Sequence, residues 1–434
     1  MSLKQFCGSS DHTVSRRGFL TSLAAMAGGA AFADMTAIQV LGTPAVADDL
    51  RRNQKRVIML WLAGGASQFE TFDPKPGVPT GGPFQSIQTS TPGIRISELM
   101  PRMANRLKDT CIIRSLNTRN ADHGSAARIM MRGRMGEPSV DYPDLGAVLA
   151  REMGLEGSQV PDYVSFYTAT EGRNMSPGSP GFLGARFGSM DLTTSMVPEN
   201  IRRPGISVQD HRERAQLRDQ LSDLFERGRT SPAMESHHQA YRRVAGIMAN
   251  EQLFDIEREP QRVRDRYGPT LFGRQCLAAR RLCEAGVPFV RVGRAWWDTH
   301  AQNFESCQEL VPELDHVMAT LLDDLEERGL LRNTLVLTLS EFGRTPAINS
   351  SVGRDHFASA WSTTLSGCGI RGGSVYGRTN AAGTNVAEGE IGAARLFATI
   401  YRALGINHRK NYHLGSRPIP LTDPGTEPIR EVLA

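Results

Sequence analysis

The sequence predicts an α/β protein in which helices flank a mainly parallel central sheet. Continuous apolar runs of strand length recur along the chain, as in strands that are buried on both faces of a parallel sheet. Longer amphipathic stretches with the period of a helix separate these runs. Strands that alternate with helices of this length are typical of a parallel α/β sheet.

Five apolar runs mark the predicted strands, at residues 57–62, 111–113, 163–166, 287–292 and 335–339. The clearest predicted helix lies between Cys307 and Arg328, where leucine, valine and methionine side chains form one broad apolar face. A shorter helix is expected to run to Met131 and to end at Gly133. These elements give the sheet and its flanking layers.

Composition excludes several classes of protein. The chain has 434 residues, 40% of them hydrophobic, with 50 Lys and Arg against 46 Asp and Glu. Disordered, collagenous and multi-span membrane proteins do not have this balance. The net charge of +4 is spread over a long chain and therefore predicts no nucleic-acid partner.

The first 47 residues have the pattern of a twin-arginine signal peptide. Arg16 and Arg17 precede an apolar run from Thr21 to Ala33, and residues 45–47 form an A-x-A cleavage site. The alternative is a disordered arm with a chance arginine pair. We expect the twin-arginine machinery to export the chain to the periplasm, and we expect no stable membrane insertion of the mature residues 48–434.

Two regions depart from the alternation of strands and helices. Residues 172–204 are rich in Gly, Pro, Ser and Met, which predicts a long surface excursion near the site. Residues 209–260 are charged and helical in pattern, which predicts a helical insertion or cap. Because the strands on either side look like parts of one sheet, we favour a single domain. The five cysteines after the leader are expected in the core.

In open α/β sheets the working residues gather beyond the carboxyl ends of strands. The strongest polar cluster of this kind is Trp296-Trp297-Asp298-Thr299-His300. Asp298 and His300 are two residues apart on an extended segment, so both side chains point the same way and could reach one divalent metal. A surface acid beside a loop histidine is the alternative, which the adjacent tryptophans disfavour because they suggest a walled pocket.

Two further clusters follow the last predicted strand. Glu341 comes directly after it and could ligate a metal or act as a base, while Arg344 could form a fork to an oxyanion. Arg354, Asp355 and His356 add another acid and imidazole with a guanidinium beside them. Isolated acid and histidine pairs are usually structural, but clusters at several predicted strand ends favour a common site.

The remaining clusters lie at a helix start and in a glycine loop. Asp122, His123 and Ser125 precede the helix that ends at Gly133, and a helix N-terminus suits phosphate or sulfate. The alternative is that Asp122 or Ser125 only caps this helix. After the first strand, Gly64 and Gly65 would let a ligand approach the backbone, and the possible site groups that follow are Ser67, Gln68, Glu70 and Asp73.

Together these motifs resemble the bacterial family called domain of unknown function 1501, and the chain is identified as a member of it. The quoted motifs are the Arg-Arg leader, G-G-A-S-Q-F-E-T-F-D-P-K-P, D-H-G-S, W-W-D-T-H, S-E-F-G-R-T-P and G-R-D-H. That family is similar to the alkaline phosphatase and sulfatase superfamily. The resemblance implies an alkaline-phosphatase-like α/β sandwich that hydrolyses phosphate or sulfate esters of small molecules or glycans at one or two divalent metals, such as Zn, Ca, Mn or Mg.

The resemblance also implies roles for single residues. His123 stands in the nucleophile's place and follows Asp122, whereas Asp298 and His300 resemble the superfamily's mid-chain pair. Glu341 resembles a late ligand, and His356 resembles the final metal-binding histidine. Three departures stand out: the first strand ends without its acid unless Gln68, Glu70 or Asp73 replaces it, Phe342 follows Glu341, and no hydroxyl occupies the nucleophile position.

The sequence thus favours an exported hydrolase of phosphate or sulfate esters. The expected divalent metal is held by Asp298, His300, Glu341 and His356. The expected catalytic residues are Asp122, His123 and Arg344, with His123 either a phosphohistidine-type nucleophile or a ligand. The expected substrate-binding residues are Ser67, Gln68, Ser125, Arg354 and Asp355. One alternative is a non-catalytic protein of this fold that binds an anionic ligand after losing part of the metal set, and another is a metal enzyme of other chemistry.

Overall fold

The structure is a computed structural model. It describes residues 54–155, 158, 160–166, 178–192, 194, 196–198, 205–226, 241, 245–248 and 250–434. The predicted signal peptide at residues 1–47 lies outside the described residues, as do residues 172–177, 193, 195 and 199–204 of the predicted excursion. The described part of that excursion contributes the strand Met190–Leu192 to the central sheet. The polar clusters that the sequence places in the candidate site all lie within the described residues.

An eight-stranded sheet forms the centre of the protein. Its strands, in chain order, are β1 (Arg56–Leu62), β2 (Thr110–Leu116), β3 (Tyr163–Phe166), β4 (Met190–Leu192), β5 (Phe289–Arg294), β6 (Thr334–Leu339), β7 (Trp361–Gly367) and β8 (Ser374–Tyr376). Across the sheet they lie in the order β8-β2-β7-β6-β1-β5-β3-β4. All pairs are parallel except those of β7, which runs antiparallel to both β2 and β6.

Eight helices that are described from end to end accompany the sheet: α1 (Pro101–Arg106), α2 (His123–Arg132), α3 (Leu145–Met153), α4 (Val208–Glu226), α5 (Gln261–Tyr267), α6 (Leu271–Glu284), α7 (Asn303–Glu327) and α8 (Ala393–Ala403). The described residues 241 and 245–248 are also helical. Within α4, four large apolar side chains are exposed, at Leu217, Leu221, Leu224 and Phe225. No helix in the described part of the chain is long and apolar enough to cross a bilayer.

The two faces of the sheet carry separate hydrophobic layers. Alternate residues of β1 point to opposite sides, so Ile58 packs with the layer that contains α6 and α7, and Met59 packs with the layer that contains α3 and α8. Every residue of β1 is buried, as the continuous apolar run predicts. The predicted α/β fold class, with a mostly parallel sheet between helices, is confirmed.

Short antiparallel pairs of strands lie outside the central sheet. They are Ser86–Gln88 with Arg95–Ser97, Gly343–Arg344 with His356–Phe357, Arg378–Thr379 with Val386–Glu388, and Asn411–Leu414 with Arg417–Pro420. The second pair is functionally the most informative. It sets Arg344 opposite His356, beyond the end of β6, and so fixes the loop that carries the late sequence motifs.

The five predicted strands and the helix between Cys307 and Arg328 all occur, with ends shifted by a few residues. The five cysteines after the leader are buried and unpaired, which confirms their assignment to the core. Helix α4 lies almost entirely in the predicted helical region 209–260.

Candidate metal centre

Three imidazoles converge on the carboxylate of Asp298. His123 Nε2 lies 3.1 Å from Asp298 Oδ2, and Asp298 Oδ1 lies 3.1 Å from His300 Nε2 and 3.3 Å from His356 Nε2. The Nε2 atoms of His300 and His356 are only 2.9 Å apart. Four side chains from three separate stretches of sequence therefore meet at one point, at the carboxyl-end edge of the sheet.

The other ring nitrogen of each imidazole faces a hydrogen-bond acceptor. Nδ1 of His123 lies 2.7 Å from Glu341 Oε1, Nδ1 of His300 lies 2.7 Å from Asp355 Oδ1, and Nδ1 of His356 lies 2.8 Å from the carbonyl oxygen of Ala121. An acceptor at Nδ1 favours the tautomer whose proton is on that nitrogen. Once any proton on Nε2 is displaced, each Nε2 lone pair can bind a metal, as in the carboxylate–histidine pairs of known metal sites.

Local structure explains how each side chain reaches the centre. Helix α2 begins at His123, because the Asp122 carboxylate caps it by accepting from the Ser125 N–H at 2.9 Å. Asp298 and His300 follow the end of β5, and His356 lies on the short ladder beyond β6. The centre therefore combines a helix start with two strand ends, as expected for an open α/β sheet.

The absence of a side chain at Gly64 makes room for the backbone of residues 297 and 298. The sequence suggested that a ligand would occupy this space. The φ of Gly64 is +117°, and a Cβ on it would lie 2.4 Å from the backbone nitrogen of Asp298. The loop after β1 therefore packs directly against residues 297 and 298. Since any side chain at Gly64 would push this segment away, the glycine fixes the position of Asp298.

Glu341 does not take the position expected of a direct ligand. Its side chain is fully buried, and Oε1 accepts hydrogen bonds from His123 Nδ1 and, at 2.8 Å, from the Gly64 N–H. The carboxylate thus lies behind His123, on the side away from Asp298. Of the predicted four ligands, Asp298, His300 and His356 therefore lie together, whereas Glu341 hydrogen-bonds the imidazole of His123, which faces the centre.

Arg344 also lies beneath the centre. The sequence suggested that its guanidinium could bind an oxyanion. Its guanidinium is buried and donates to the carbonyl oxygens of Gly65 at 2.9 Å and Arg354 at 3.1 Å. It also donates to the carbonyl oxygen of Gly64 and to Asp298 Oδ1. With these partners, Arg344 holds Asp298 in place and does not face solvent.

Three residues expected to bind substrate are also buried. Gln68 exchanges hydrogen bonds with the backbone of Arg344, at 2.8 and 3.0 Å. Arg354 forms a fully buried ion pair with Glu70 at 2.9 Å. The side chain of Ser67 is enclosed as well. These residues build the floor of the site, so the structure does not place them where a substrate would touch them.

The other predicted site residues lie nearer to solvent. Asp122 is exposed and acts as the helix cap, the role that the sequence left open, and Ser125 lies one turn from it. Asp355 is 55% exposed beside His300, which is 45% exposed. The open side of the centre is therefore the side of His300 and Asp355.

Glu70 and Asp73, which were considered as replacements for the missing acid of the first strand, have other partners. Asp73 accepts a hydrogen bond from Thr379 at 2.5 Å and pairs with Lys75 at 2.9 Å. Neither carboxylate belongs to the group around Asp298. The loop after the first strand thus contributes the backbone of Gly64 to the centre. It contributes no carboxylate to the group around Asp298.

Electrostatics favour an ionised Asp298. Burial would raise its pKa, but hydrogen bonds with His123 and His356, together with the charge of Arg344, hold the pKa well below its usual range. Burial lowers the pKa of His123, but hydrogen bonds with Asp298 and Glu341 outweigh it and raise the pKa to about 9. A metal that binds Nε2 of His123 at neutral pH must therefore displace a proton.

The sequence did not identify Phe342 as part of the surroundings of the candidate metal centre. Phe342 packs against His123 and His356, with ring centroids 4.9 and 4.4 Å away. Of the two adjacent tryptophans, Trp297 is buried, whereas Trp296 is 62% exposed and has a positive φ of 75°. Hydrophobicity alone could not separate the two tryptophans, because only the turn after β5 decides which of them faces inward.

The donor atoms fit a divalent metal. His123, Asp298 and His356 offer ligand atoms that all lie within 4.8 Å of one another, and His300 adjoins this group. Imidazole nitrogen with carboxylate oxygen suits zinc, manganese or iron, and three protein ligands leave a coordination position for a substrate. The arrangement can therefore hold a metal and still bind an ester beside it.

Comparison with solved structures finds similarity to a sulfatase, an alkaline phosphatase and a lipoteichoic acid synthase. The sulfatase PsFucS1 from Pseudoalteromonas sp. is 12% identical, with 89% of this chain and 77% of that chain covered and a TM-score of 0.42. Alkaline phosphatase from the Antarctic bacterium TAB5 is 13% identical, with 82% of this chain and 99% of that chain covered and a TM-score of 0.39. The lipoteichoic acid synthase LtaP from Listeria monocytogenes is 9% identical, with 85% of this chain and 74% of that chain covered and a TM-score of 0.39.

No curated protein matches the sequence. A family model described as "Protein of unknown function (DUF1501)" matches residues 54–433, which is nearly all of the described chain. The match includes every residue of the candidate metal centre. The chain belongs to the DUF1501 family.

Proposed function

We propose that the protein is a metal-dependent hydrolase of phosphate or sulfate esters that is exported through the twin-arginine pathway to the periplasm. The observation that carries the proposal is the convergence of the Nε2 atoms of His123 and His356 on the carboxylate of Asp298. In each imidazole an acceptor at Nδ1 turns the Nε2 lone pair toward this point. The leader motif of the sequence supports export.

His123, Asp298 and His356 would hold the metal. A divalent ion at this position would act as a Lewis acid toward an oxygen of the anionic ester. Arg344 and Gly64 keep Asp298 in place, and Glu341 does the same for His123. The donor atoms are thus oriented before metal or substrate binds, which lowers the cost of forming the site.

His300 is assigned to proton transfer. Its Nδ1 bonds to Asp355, its Nε2 lies beside the three ligands, and nearly half of its side chain is exposed. An imidazole that is oriented by a carboxylate can give a proton to the leaving oxygen of an ester and take it back from water. We therefore favour a catalytic role for His300 over the ligand role that the sequence suggested.

The start of α2 favours an anionic substrate. His123 is the first residue of this ten-residue helix, so the centre lies at the positive end of the helix dipole. The bulk charge of the chain gives no comparable attraction, since the net charge is only +4. Local charge from the metal and the helix would draw the ester to the open side.

The test combines metal analysis of the purified protein with hydrolysis of p-nitrophenyl phosphate and p-nitrophenyl sulfate. We expect bound divalent metal and hydrolysis of at least one ester, lost with chelator and restored with metal. His356→Ala should lose the metal, whereas His300→Ala should keep it and lose at least about 100-fold in kcat. His413→Ala, which changes an exposed histidine on a separate hairpin, is the matched control.

Three results would contradict the proposal in separable ways. Absence of any metal, with His356→Ala unchanged, would remove the metal centre. Bound metal without hydrolysis of either ester would favour a binding protein over a hydrolase. Loss of metal in His300→Ala would make His300 a ligand and refute its role in proton transfer.

A further inference from the structure

A second cavity lies at the opposite edge of the sheet from the metal centre. It has a volume of about 600 Å³ and is lined by Arg371, by Arg402 at the end of α8, by residues 405–409 and by five residues between 427 and 434. The N–H of Ala434, one of the lining residues, donates to the carbonyl oxygen of Gly369 at 3.1 Å. Two residues before Gly369, Gly367 pairs with Leu335 near the start of β6, whereas the metal centre follows the end of β6. With about 3.3 Å per residue, the six residues of β6 separate the two sites by roughly 20 Å.

The lining of this cavity is strongly basic. It contains four arginines, Arg371, Arg402, Arg409 and Arg430, against one acidic side chain, Glu427, which already pairs with Arg409. In the described part of the chain the guanidinium groups of Arg371, Arg402 and Arg430 form no ion pair. A cleft in which positive charges predominate attracts anions. Guanidinium groups bind phosphate and carboxylate through paired N–H donors.

His408 gives an independent sign of a ligand. Its side chain lines the same cavity with only 8% exposure, and its Nε2 is buried without a hydrogen-bond partner. Burial lowers its pKa, and the charges of Arg409 and Arg402 add to this effect against the opposing charge of Glu427. Buried nitrogens without a hydrogen-bond partner are rare in folded proteins. A ligand bound in the cavity would supply the missing hydrogen-bond partner of His408.

The unpartnered nitrogen of His408 fits the same kind of ligand as the arginines. A neutral imidazole can carry its proton on Nε2, and this N–H then donates to an oxygen of an anion in the cavity.

We propose that this cavity is a second binding site, for a phosphate monoester whose anionic oxygens contact Arg402, Arg430 and Arg371 and accept a hydrogen bond from His408 Nε2. A phosphate monoester carries a charge of about −1.5 to −2 at pH 7, since its second pKa is about 6. A sulfate monoester carries a single negative charge and is therefore attracted less strongly by the guanidinium groups. The volume exceeds that of inorganic phosphate and lies in the range of sites for small organic molecules.

The experiment is calorimetric titration of the full chain in the presence of chelator, so that metal at the other site does not bind the probe. The probes are inorganic phosphate, glycerol 3-phosphate and methyl sulfate. We expect one phosphate-binding site per chain, and binding of methyl sulfate, which carries a single negative charge, at least tenfold weaker. Tighter binding of glycerol 3-phosphate identifies an organic ester as the ligand, whereas equal binding identifies free phosphate and removes the organic part of the proposal.

Variants locate the site. Arg402→Gln with Arg430→Gln should weaken phosphate binding at least tenfold, whereas Arg378→Gln with Arg417→Gln removes the same charge from two exposed hairpin arginines and should change little. His408→Phe should weaken phosphate binding about tenfold, because it removes the ring N–H. Absence of phosphate binding, unchanged binding in the first double variant, or equal binding of methyl sulfate and phosphate in the unaltered chain would each overturn the proposal. The site does not depend on the proposed hydrolase activity.

Discussion

Replacement of Gly64 by alanine tests whether this glycine positions Asp298. A Cβ at residue 64 would lie 2.4 Å from the backbone nitrogen of Asp298 and 2.8 Å from the backbone carbon of Trp297. Ordinary contacts of this kind are about 1 Å longer, so the segment that carries Asp298 has to move by about that amount. A displacement of about 1 Å in a catalytic group lowers activity by about 100-fold.

The matched control is Gly77→Ala. Gly77 also has a positive φ, of 79°, but a Cβ there would meet no atom within 4 Å. Both substitutions place alanine in an unfavourable backbone region, at a cost of about 1–2 kcal/mol in the free energy of unfolding. Only Gly64→Ala adds the collision with the segment that carries Asp298.

The assay measures metal affinity and ester hydrolysis together with urea unfolding of the same preparations. Gly64→Ala should lose about 100-fold in kcat/KM and bind metal more weakly than the unaltered chain. Gly77→Ala should show only the small loss of stability. Equal activity and metal affinity in the two variants would refute the reasoning that Gly64 fixes Asp298.

Three further predictions concern the surroundings of the centre and one distant carboxyl group. Asp355→Ala removes the acceptor that orients His300 and should lower kcat about 10- to 100-fold at unchanged metal content; unchanged kcat would contradict this. Arg344→Gln leaves the partly buried Asp298 without its guanidinium, and urea unfolding should show a loss of about 3–5 kcal/mol, whereas a loss below about 1 kcal/mol would argue against it. Burial raises the pKa of Asp315 from 3.8 to about 6, so its protonated form stabilises the fold below about pH 4 and this contribution disappears as the pH rises through 6. Asp315→Asn should therefore reduce the change in unfolding free energy between pH 4 and 7 by up to about 3 kcal/mol, and an unchanged pH profile would show that Asp315 does not titrate in this way.

The sequence predicts the sheet well because its strands are buried on both faces. Burial requires continuous apolar runs, and β1 and β6 are visible for that reason. The antiparallel strand β7 is harder to find, since its segment, W-S-T-T-L-S-G, is rich in hydroxyl groups that pair with one another inside the sheet. One such pair joins Thr338 and Thr364 at 2.9 Å. Apolar periodicity cannot reveal a strand that satisfies its polar groups in this way.

The sequence also identifies the parts of the candidate site but not the direction of each side chain. Asp298, His300 and His356 meet as predicted, because they follow strand ends at one edge of the sheet. Glu341 and Arg344 follow another strand end, yet both point inward. The direction of a side chain after a strand depends on the local turn, and in this loop the turn is fixed by contacts with the distant residue Gly64.

X-ray absorption spectroscopy at the edge of the bound metal tests the central claim most directly. The account predicts two imidazole nitrogens and at least one carboxylate oxygen at about 2.0–2.2 Å from the ion. It also predicts that the imidazole signal is lost in His356→Ala and kept in His413→Ala. A coordination sphere of water oxygens or sulfur alone, or a chain that binds no divalent metal, would contradict it.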